Sequence, residues 1–287
     1  MQDSTIDRQL RWATAQLQQS SDAPDSPQLD AKLLLCRVLS CELIYLYTWP
    51  EKCLTAEQLI QFAELVARRK SGQPVAHLLG YRDFWSLRLA VSDDTLIPRP
   101  ETELLVETAL ALPLDDTTKV IDLGTGTGAI ALALASERPT WQVRGIDKNA
   151  AAVALAKRNA STHSIHNVAF QQSDWFSAIT DNHYQLIVSN PPYVETHSPY
   201  LAEGDVRFEP LSALVSGADG LDDIRLIVAQ APRYLANFGW LLIEHGFNQA
   251  SDIARIFAHH GFREVRCLTD LNGLARITLG QYCHDMP

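Results

Sequence analysis

Val120-Ile121-Asp122-Leu123-Gly124-Thr125-Gly126-Thr127-Gly128 decides the fold. Four residues of strand character run straight into a glycine-rich turn, and Gly128 to Glu137 has the length and apolar content of a helix. Strand, glycine turn and helix in that order form an α/β unit that holds a nucleotide-like ligand at the carboxyl end of its strand. Glycines at alternate positions let the backbone turn tightly and approach such a ligand closely. The spacing is GxGxG, and the GxGxxG pattern of dinucleotide sites is not met, because position 129 is Ala.

Outward from this stretch the alternation continues. Strands are expected at 120–123, 142–147, 168–173, 184–189, 240–244, 264–268 and 275–279. Helices are expected at 128–137, 149–160, 222–235 and 249–260, with another from Glu101 to about Leu112. Such alternation implies a parallel sheet with helices on both faces. The last two strands are separated only by Asp270-Leu271-Asn272-Gly273, which makes them a hairpin and predicts one antiparallel edge strand. Upstream, Leu59, Phe62, Ala63 and Val66 form one apolar helical stripe, with Thr55 and Gln58 in capping-box spacing and Gly72 and Pro74 as the stop. Similar stripes cover Ile6 to Leu17 and Leu29 to Leu39, with a polar loop from Ser20 to Pro27 between them. The expected organisation is a helical domain over 1–73, a linking β-hairpin over 74–100 with Phe84 to Val91 as strand, and an α/β domain over 101–287. The expected fold class is therefore α/β: a seven-stranded, mostly parallel Rossmann-like sheet with an antiparallel edge hairpin, plus a small N-terminal helical domain.

Composition narrows the functions. The net charge of -10 argues against a broad phosphate-binding face. Arg68-Arg69-Lys70 is a candidate local basic patch, though a solvated helix end placed well for the dipole is the plainer reading. No apolar run reaches membrane-spanning length and Met1-Gln2-Asp3-Ser4 has no signal-peptide character, so a cytoplasmic protein without membrane contact is expected. Cys36, Cys41, Cys53, Cys267 and Cys283 form no CxxC pair, and the nine histidines show no metal spacing, so no metal is expected.

Two clusters carry chemistry. Gly145-Ile146-Asp147 ends the second strand about 20 residues beyond the glycine turn, where a carboxylate accepts from ribose hydroxyls. Asp147 would otherwise cap the next helix, a task open to Asn149. Ser173-Asp174-Trp175-Phe176 ends the third strand, offering a carboxylate for an adenine amino group and an indole for its face. Asp122, Asp147, Asp174 and Trp175, with no basic residue in the glycine turn, suit a sulfonium cofactor better than a pyrophosphate. The second cluster is Asn190-Pro191-Pro192-Tyr193, which closes the strand Tyr184 to Ser189. An Asn side-chain carbonyl and a backbone carbonyl held rigid by proline are two acceptors for one planar NH2 group. They fix its rotation and raise electron density on nitrogen, while Tyr193 supplies a ring to stack on a flat amide or base. The segment Val194 to Gly220 has no clear periodicity and is expected to be a functional loop, with Asp205 to Pro210 a possible cover for the substrate.

Ile97-Pro98-Arg99-Pro100-Glu101-Thr102-Glu103, the 122–130 stretch, Ser173 to Phe176, Asn190 to Tyr193, Arg207-Phe208-Glu209-Pro210 and Glu244-His245-Gly246 together resemble the peptide chain release factor glutamine methyltransferases. The resemblance runs from the helical region to near the C-terminus. It implies an S-adenosylmethionine-dependent methyltransferase sheet and N5 methylation of the glutamine in the Gly-Gly-Gln motif of class-1 release factors. It implies cofactor contacts from Gly124, Thr125, Gly126, Thr127, Gly128, Asp147, Trp175 and Asn190. It implies that Asn190, Pro191, Pro192 and Tyr193 hold the glutamine amide, with Asn190 and Tyr193 as the catalytic pair. It also suggests that the helical domain grips the protein substrate. An N6-adenine methyltransferase would use the same acceptors, but a chain this acidic is a poor nucleic-acid binder and no direct nucleic-acid contact is expected.

Overall fold

Apolar residues recurring every three or four positions put the first part of the chain into five helices in the computed structural model, which describes residues 4–20 and 26–284. These are α1 (Ile6–Gln18), α2 (Pro27–Leu39), α3 (Leu43–Thr48), α4 (Ala56–Lys70) and α5 (Val75–Leu79). Residues 21–25 of the expected Ser20 to Pro27 loop lie outside the described residues. Ile6, Leu17, Leu34, Leu35, Phe62 and Val66 form the buried core of this unit. The capping box is present: Thr55 Oγ1 accepts from the Gln58 amide at 3.2 Å and Gln58 Oε1 accepts from the Thr55 amide at 2.9 Å. The chain divides into two compact units, residues 1–81 with 199–208, and residues 82–198 with 209–287. The helical unit therefore runs past residue 73. α4 ends at Lys70, and Pro74 is the N-cap of α5.

Of the basic triplet at the end of α4, Arg68 is exposed and Lys70 half-buried, while Arg69 turns inward. Arg69 is 8% exposed, and its guanidinium pairs with Asp30 on α2 at 2.7 Å and with Asp205 at 2.9 Å. Arg68 donates to Gln73 and Lys70 to Gln16. Arg69 thus fastens the 199–208 segment to the helices of its own unit.

The aromatic stretch expected as one strand is broken into a hairpin, β1 (Tyr81–Phe84) and β2 (Leu87–Ala90). Trp85 turns with φ 56°, its amide donating to Glu103 at 2.8 Å and its indole to Glu137 at 2.6 Å.

The second unit is built on β3 (Lys119–Leu123), β4 (Gln142–Asp147), β5 (Val168–Gln172), β6 (Tyr184–Ser189), β7 (Leu235–Glu244), β8 (Phe262–Thr269) and β9 (Ala275–Tyr282). The strand order is β5-β4-β3-β6-β7-β9-β8. The first five in that order are mutually parallel. β9 runs antiparallel to β7, and β8 antiparallel to β9. The hairpin sits at the sheet edge as expected, but the antiparallel strand is β9, inside the sheet, and the edge strand β8 points the common way. β7 starts earlier than its apolar run suggested. Pro232 ends the preceding helix, and a register shift near Tyr184 takes up the extra residues.

Alternate residues of each strand feed opposite faces. Val120, Val143, Leu186, Val188 and Leu242 pack with α6 (Glu103–Ala111), α7 (Ala129–Glu137) and α8 (Ala150–Thr162). Ile121, Leu123, Ile146, Ile187 and Ile243 pack with α9 (Asp222–Gln230) and α10 (Ala250–His259). The strand order reverses between β3 and β6, which opens a crevice at their carboxyl ends.

Replacing Arg69 with Ala takes the guanidinium away from the buried Asp30 carboxylate and from Asp205. We expect Arg69→Ala to lower stability in urea unfolding by about 3–5 kcal/mol, and Arg69→Met with Asp30→Leu to recover most of the loss.

Candidate active site

The crevice is lined by the turn after β3, the ends of β4, β5 and β6, and the 94–99 segment that follows β2.

Gly124, Gly126 and Gly128 have φ of 72°, 54° and 86°, a region that side chains adopt only with strain. The Thr125 amide donates to the Ile146 carbonyl at 2.8 Å, joining the turn to β4. Asp147 completes the tie: Oδ2 accepts from the Gly126 amide and Oδ1 from the Asn149 amide, each at 2.9 Å. The cap of α8 falls to Asn149, whose side chain accepts from Ala151. Asp147 therefore stands at the crevice with its carboxylate held by backbone donors. Ser173, Asp174 and Trp175 line the same crevice from the end of β5. Trp175 has φ 45°, its indole donates to Asp223 at 3.1 Å, and its ring lies over Gly124, where an added Cβ would meet it at 3.4 Å. A bulkier residue at 124 would meet both the strained φ and the indole.

Asn190 and Pro192 line the crevice from β6. The Ser189 hydroxyl donates to the Leu123 carbonyl at 2.8 Å, fastening the end of β6 to that of β3. Asn190 Nδ2 donates to the Thr102 hydroxyl at 3.2 Å. Pro191 and Tyr193 are not on the crevice wall. The Tyr193 ring packs on the apolar core beneath α9 and α10, and burial pushes its hydroxyl well above the usual range. The stacking plate expected from Tyr193 is thus turned inward, because a large ring gains more by burial in the core.

Asp122 also differs from expectation. It is fully buried, out of the crevice, and Oδ2 accepts from the Thr125 hydroxyl at 2.6 Å. Burial pushes its pKa up to about 7, and the bond from Thr125 only partly offsets this.

The sequence reading missed two supports. The 94–99 segment, read as linker, forms a wall: Asp94, Thr95, Leu96, Pro98 and Arg99 line the crevice. Glu209 holds it by accepting from the Ile97 amide at 2.8 Å and pairing with Arg99. Glu209 thus belongs to the wall, and the expected cover from 205 to 210 divides at this point, Asp205 lying in the helical unit. The second support is Asn159 on α8. Its side chain bonds Ala90 and donates to the Thr127 carbonyl at 2.9 Å, joining the hairpin to the glycine turn. An Asn in an alanine-rich helix was the available signal. His245 follows Glu244 and is buried, bonded to Thr278 at 2.8 Å, with burial lowering its pKa.

Asp122 makes a pH prediction. Its folded pKa is about 7 against 3.8 for the free side chain, so the folded protein holds a proton that the unfolded chain releases. Its contribution to stability is lost as pH rises from about 4 to about 7 and is constant above. Relative to Asp122→Asn, the parent should lose on the order of 1–3 kcal/mol between pH 5 and pH 8 in urea unfolding. Equal slopes for the two proteins would contradict the assignment.

Residues 100–203 match the Methyltransferase small domain family, and residues 9–80 match the PrmC N-terminal domain. The release factor glutamine methyltransferase of Pseudomonas aeruginosa is 54% identical over 93% of this chain and 97% of its own length. That of Vibrio cholerae is 52% identical over 97% of each chain, and that of Escherichia coli 47% identical over 95% and 97%. Among solved structures, a methyltransferase from Pyrococcus furiosus aligns with a TM-score of 0.54 at 14% identity, covering 77% of this chain and 99% of that one. The hMettl16 catalytic domain aligns with a TM-score of 0.56 at 12% identity, covering 81% and 84%. These structural likenesses establish the fold alone. Near-full-length identity of about half establishes more: the chain belongs to the release factor glutamine methyltransferase family.

Proposed function

We propose that this protein transfers a methyl group from S-adenosylmethionine to the N5 amide nitrogen of the glutamine in the Gly-Gly-Gln motif of class-1 release factors. The observation that carries the reading is that Asn190 opens into the same crevice as the glycine turn and Asp147. The residues present suit the cofactor. The glycine turn leaves a cradle that side chains would fill, Asp147 and Asp174 are carboxylates for polar hydroxyl and amino groups, and Trp175 is an aromatic wall. The turn has no basic residue to meet a pyrophosphate. When bound, S-adenosylmethionine supplies an electrophilic methyl group on a sulfonium.

The chain's own residues do the rest. Gly124 to Gly128, Asp147, Trp175 and Asn190 seat the cofactor. Asn190 Oδ1 and a backbone carbonyl of the Asn190-Pro191-Pro192 segment accept the two hydrogens of the glutamine amide and orient its nitrogen toward the methyl group. The prolines keep the segment rigid, and the Tyr193 ring anchors it in the core. Positioning lowers the barrier most. The acceptors stabilise positive charge growing on nitrogen. Once the methyl carbon has exchanged its bond to sulfur for one to nitrogen, with the old bonding pair left on sulfur, the nitrogen is acidic and gives one proton to water, so no strong base is needed.

An adenine amino group would suit the same acceptors, yet the net charge of -10 and the engagement of Arg68, Arg69 and Lys70 within their own unit favour a protein substrate without nucleic-acid contact. No helix among the described residues is long and apolar enough to cross a membrane. A release factor as substrate places the reaction in the cytoplasm.

Incubating the protein with S-adenosylmethionine and an unmethylated release factor should add one methyl group to the Gly-Gly-Gln glutamine, read by peptide mass spectrometry. Label appearing in nucleic acid and not in release factor would overturn the reading. Asn190→Ala should reduce kcat by about 100- to 1,000-fold, a far larger effect than the weakening of cofactor binding that follows from losing one of its several contacts. Asp147→Ala should chiefly weaken cofactor binding, measured by calorimetry.

A further inference from the structure

Asn190 can present either its oxygen or its NH2 group to the crevice, and only the oxygen accepts from an amide substrate. A carboxylate behind it decides which. Glu244 is the last residue of β7, 2% exposed. β6 and β7 pair in parallel with Ser189 opposite Ile243, so Asn190 and Glu244 are the next residues of the two strands. Thr102, 4% exposed at the end of the short turn before α6, stands with them. Its hydroxyl accepts from Asn190 Nδ2 at 3.2 Å. The Thr102 hydroxyl and the Asn190 amide both lie beside the Glu244 carboxyl. Glu244 Oε2 is buried with no hydrogen-bond partner of its own among the described residues.

The consequence is a one-way chain. A hydroxyl has a single hydrogen. When Thr102 gives it to the Glu244 carboxylate, Thr102 has only acceptor capacity left for Asn190, and Asn190 must turn its NH2 group inward. Oδ1 is then the atom left to face the crevice. Without an acceptor at 244, Thr102 is free to donate to Oδ1, and the amide can turn over and point N–H donors at the substrate NH2 group. We infer that Glu244, acting through Thr102, is a positioning residue that sets which way round the Asn190 amide stands. The inference deepens the proposed methyl transfer and rests on that reading. Burial raises the Glu244 pKa to about 7, partly offset by the bonds from Thr102 and Asn190 and by Arg276, with Glu101 acting in the raising direction. A carboxylate kept at this cost, in a place where an apolar residue would be easier to bury, is consistent with such a task.

The test uses the full chain, S-adenosylmethionine and an unmethylated release factor. Glu244→Leu and Thr102→Val remove the acceptor and the relay; Glu244→Gln and Thr102→Ser keep them. We expect kcat to fall about 10- to 100-fold in the Leu and Val variants, the range for residues that orient a site's direct ligands. Cofactor Kd should stay within about threefold of the parent by the same reasoning, and the Gln and Ser variants should regain most of the turnover. Parental kcat in Glu244→Leu or Thr102→Val overturns the inference. So does a loss of cofactor affinity matching the loss of turnover, or a Gln variant no better than Leu. If Glu244→Leu does not fold, the Val and Ser pair at 102 decides alone. A parent protein that methylates no glutamine defeats the functional reading itself, an outcome distinct from a working parent with indifferent variants.

Discussion

The pairing of β3 with β6 is the contact on which the site depends. Leu123 and Ser189 lie opposite each other, and the Ser189 hydroxyl locks the two strand ends together. Strand order reverses at this pair, so the loops that follow diverge to opposite faces and leave a crevice between them. One loop is the glycine turn and the other begins with Asn190. The glycine turn and Asn190 therefore meet over a single strand pair, with the central sheet as a floor buried on both faces.

Buried charge sets the rest of the design. Arg69, Asp122 and Glu244 are all nearly or fully removed from water. Each is costly unless paired, and each has a task that an apolar residue could not do. Arg69 joins a distant chain segment to two helices of its own unit. Asp122 holds Thr125, whose backbone joins the glycine turn to β4. Glu244 stands behind the Asn190 amide. The hydrogen bonds of Asp147 and Asn159 work in the same way at lower cost, each tying the glycine turn to a neighbouring element. A turn that must stay open for a ligand cannot hold itself together by filling its own space, so its neighbours hold it.

Much of this was legible along the chain because its signals are local. Val120 to Gly128 carries strand, turn and helix start in nine consecutive residues. The capping box at Thr55 and Gln58 is three residues apart. Asp147 ends β4 and Asn190 follows β6, both strands with a plain apolar character, and Trp175 lies three residues past β5. The misreadings have physical causes. Phe84 to Val91 has strand residues throughout, and its break at Trp85 is imposed by Glu103 and Glu137. Arg69 looks like a solvated helix end until Asp30 and Asp205 arrive beside it. Tyr193 follows a proline pair that points its ring to the core, and no neighbour in sequence says so.

The sequence by itself determined the alternation of strand and helix, the glycine turn, and the acceptor-rich segment at Asn190, since backbone preference and apolar period act over a few residues. Tertiary structure alone decided that β9 lies inside the sheet with β8 at its edge, that the 94–99 segment and Glu209 wall the crevice, and that Thr102, Asn190 and Glu244 share one buried corner. Those three are separated by 88 and 54 positions along the chain. A hydrogen-bond chain acts over a few ångströms of space, and only the packing of strands and helices brings such residues that close.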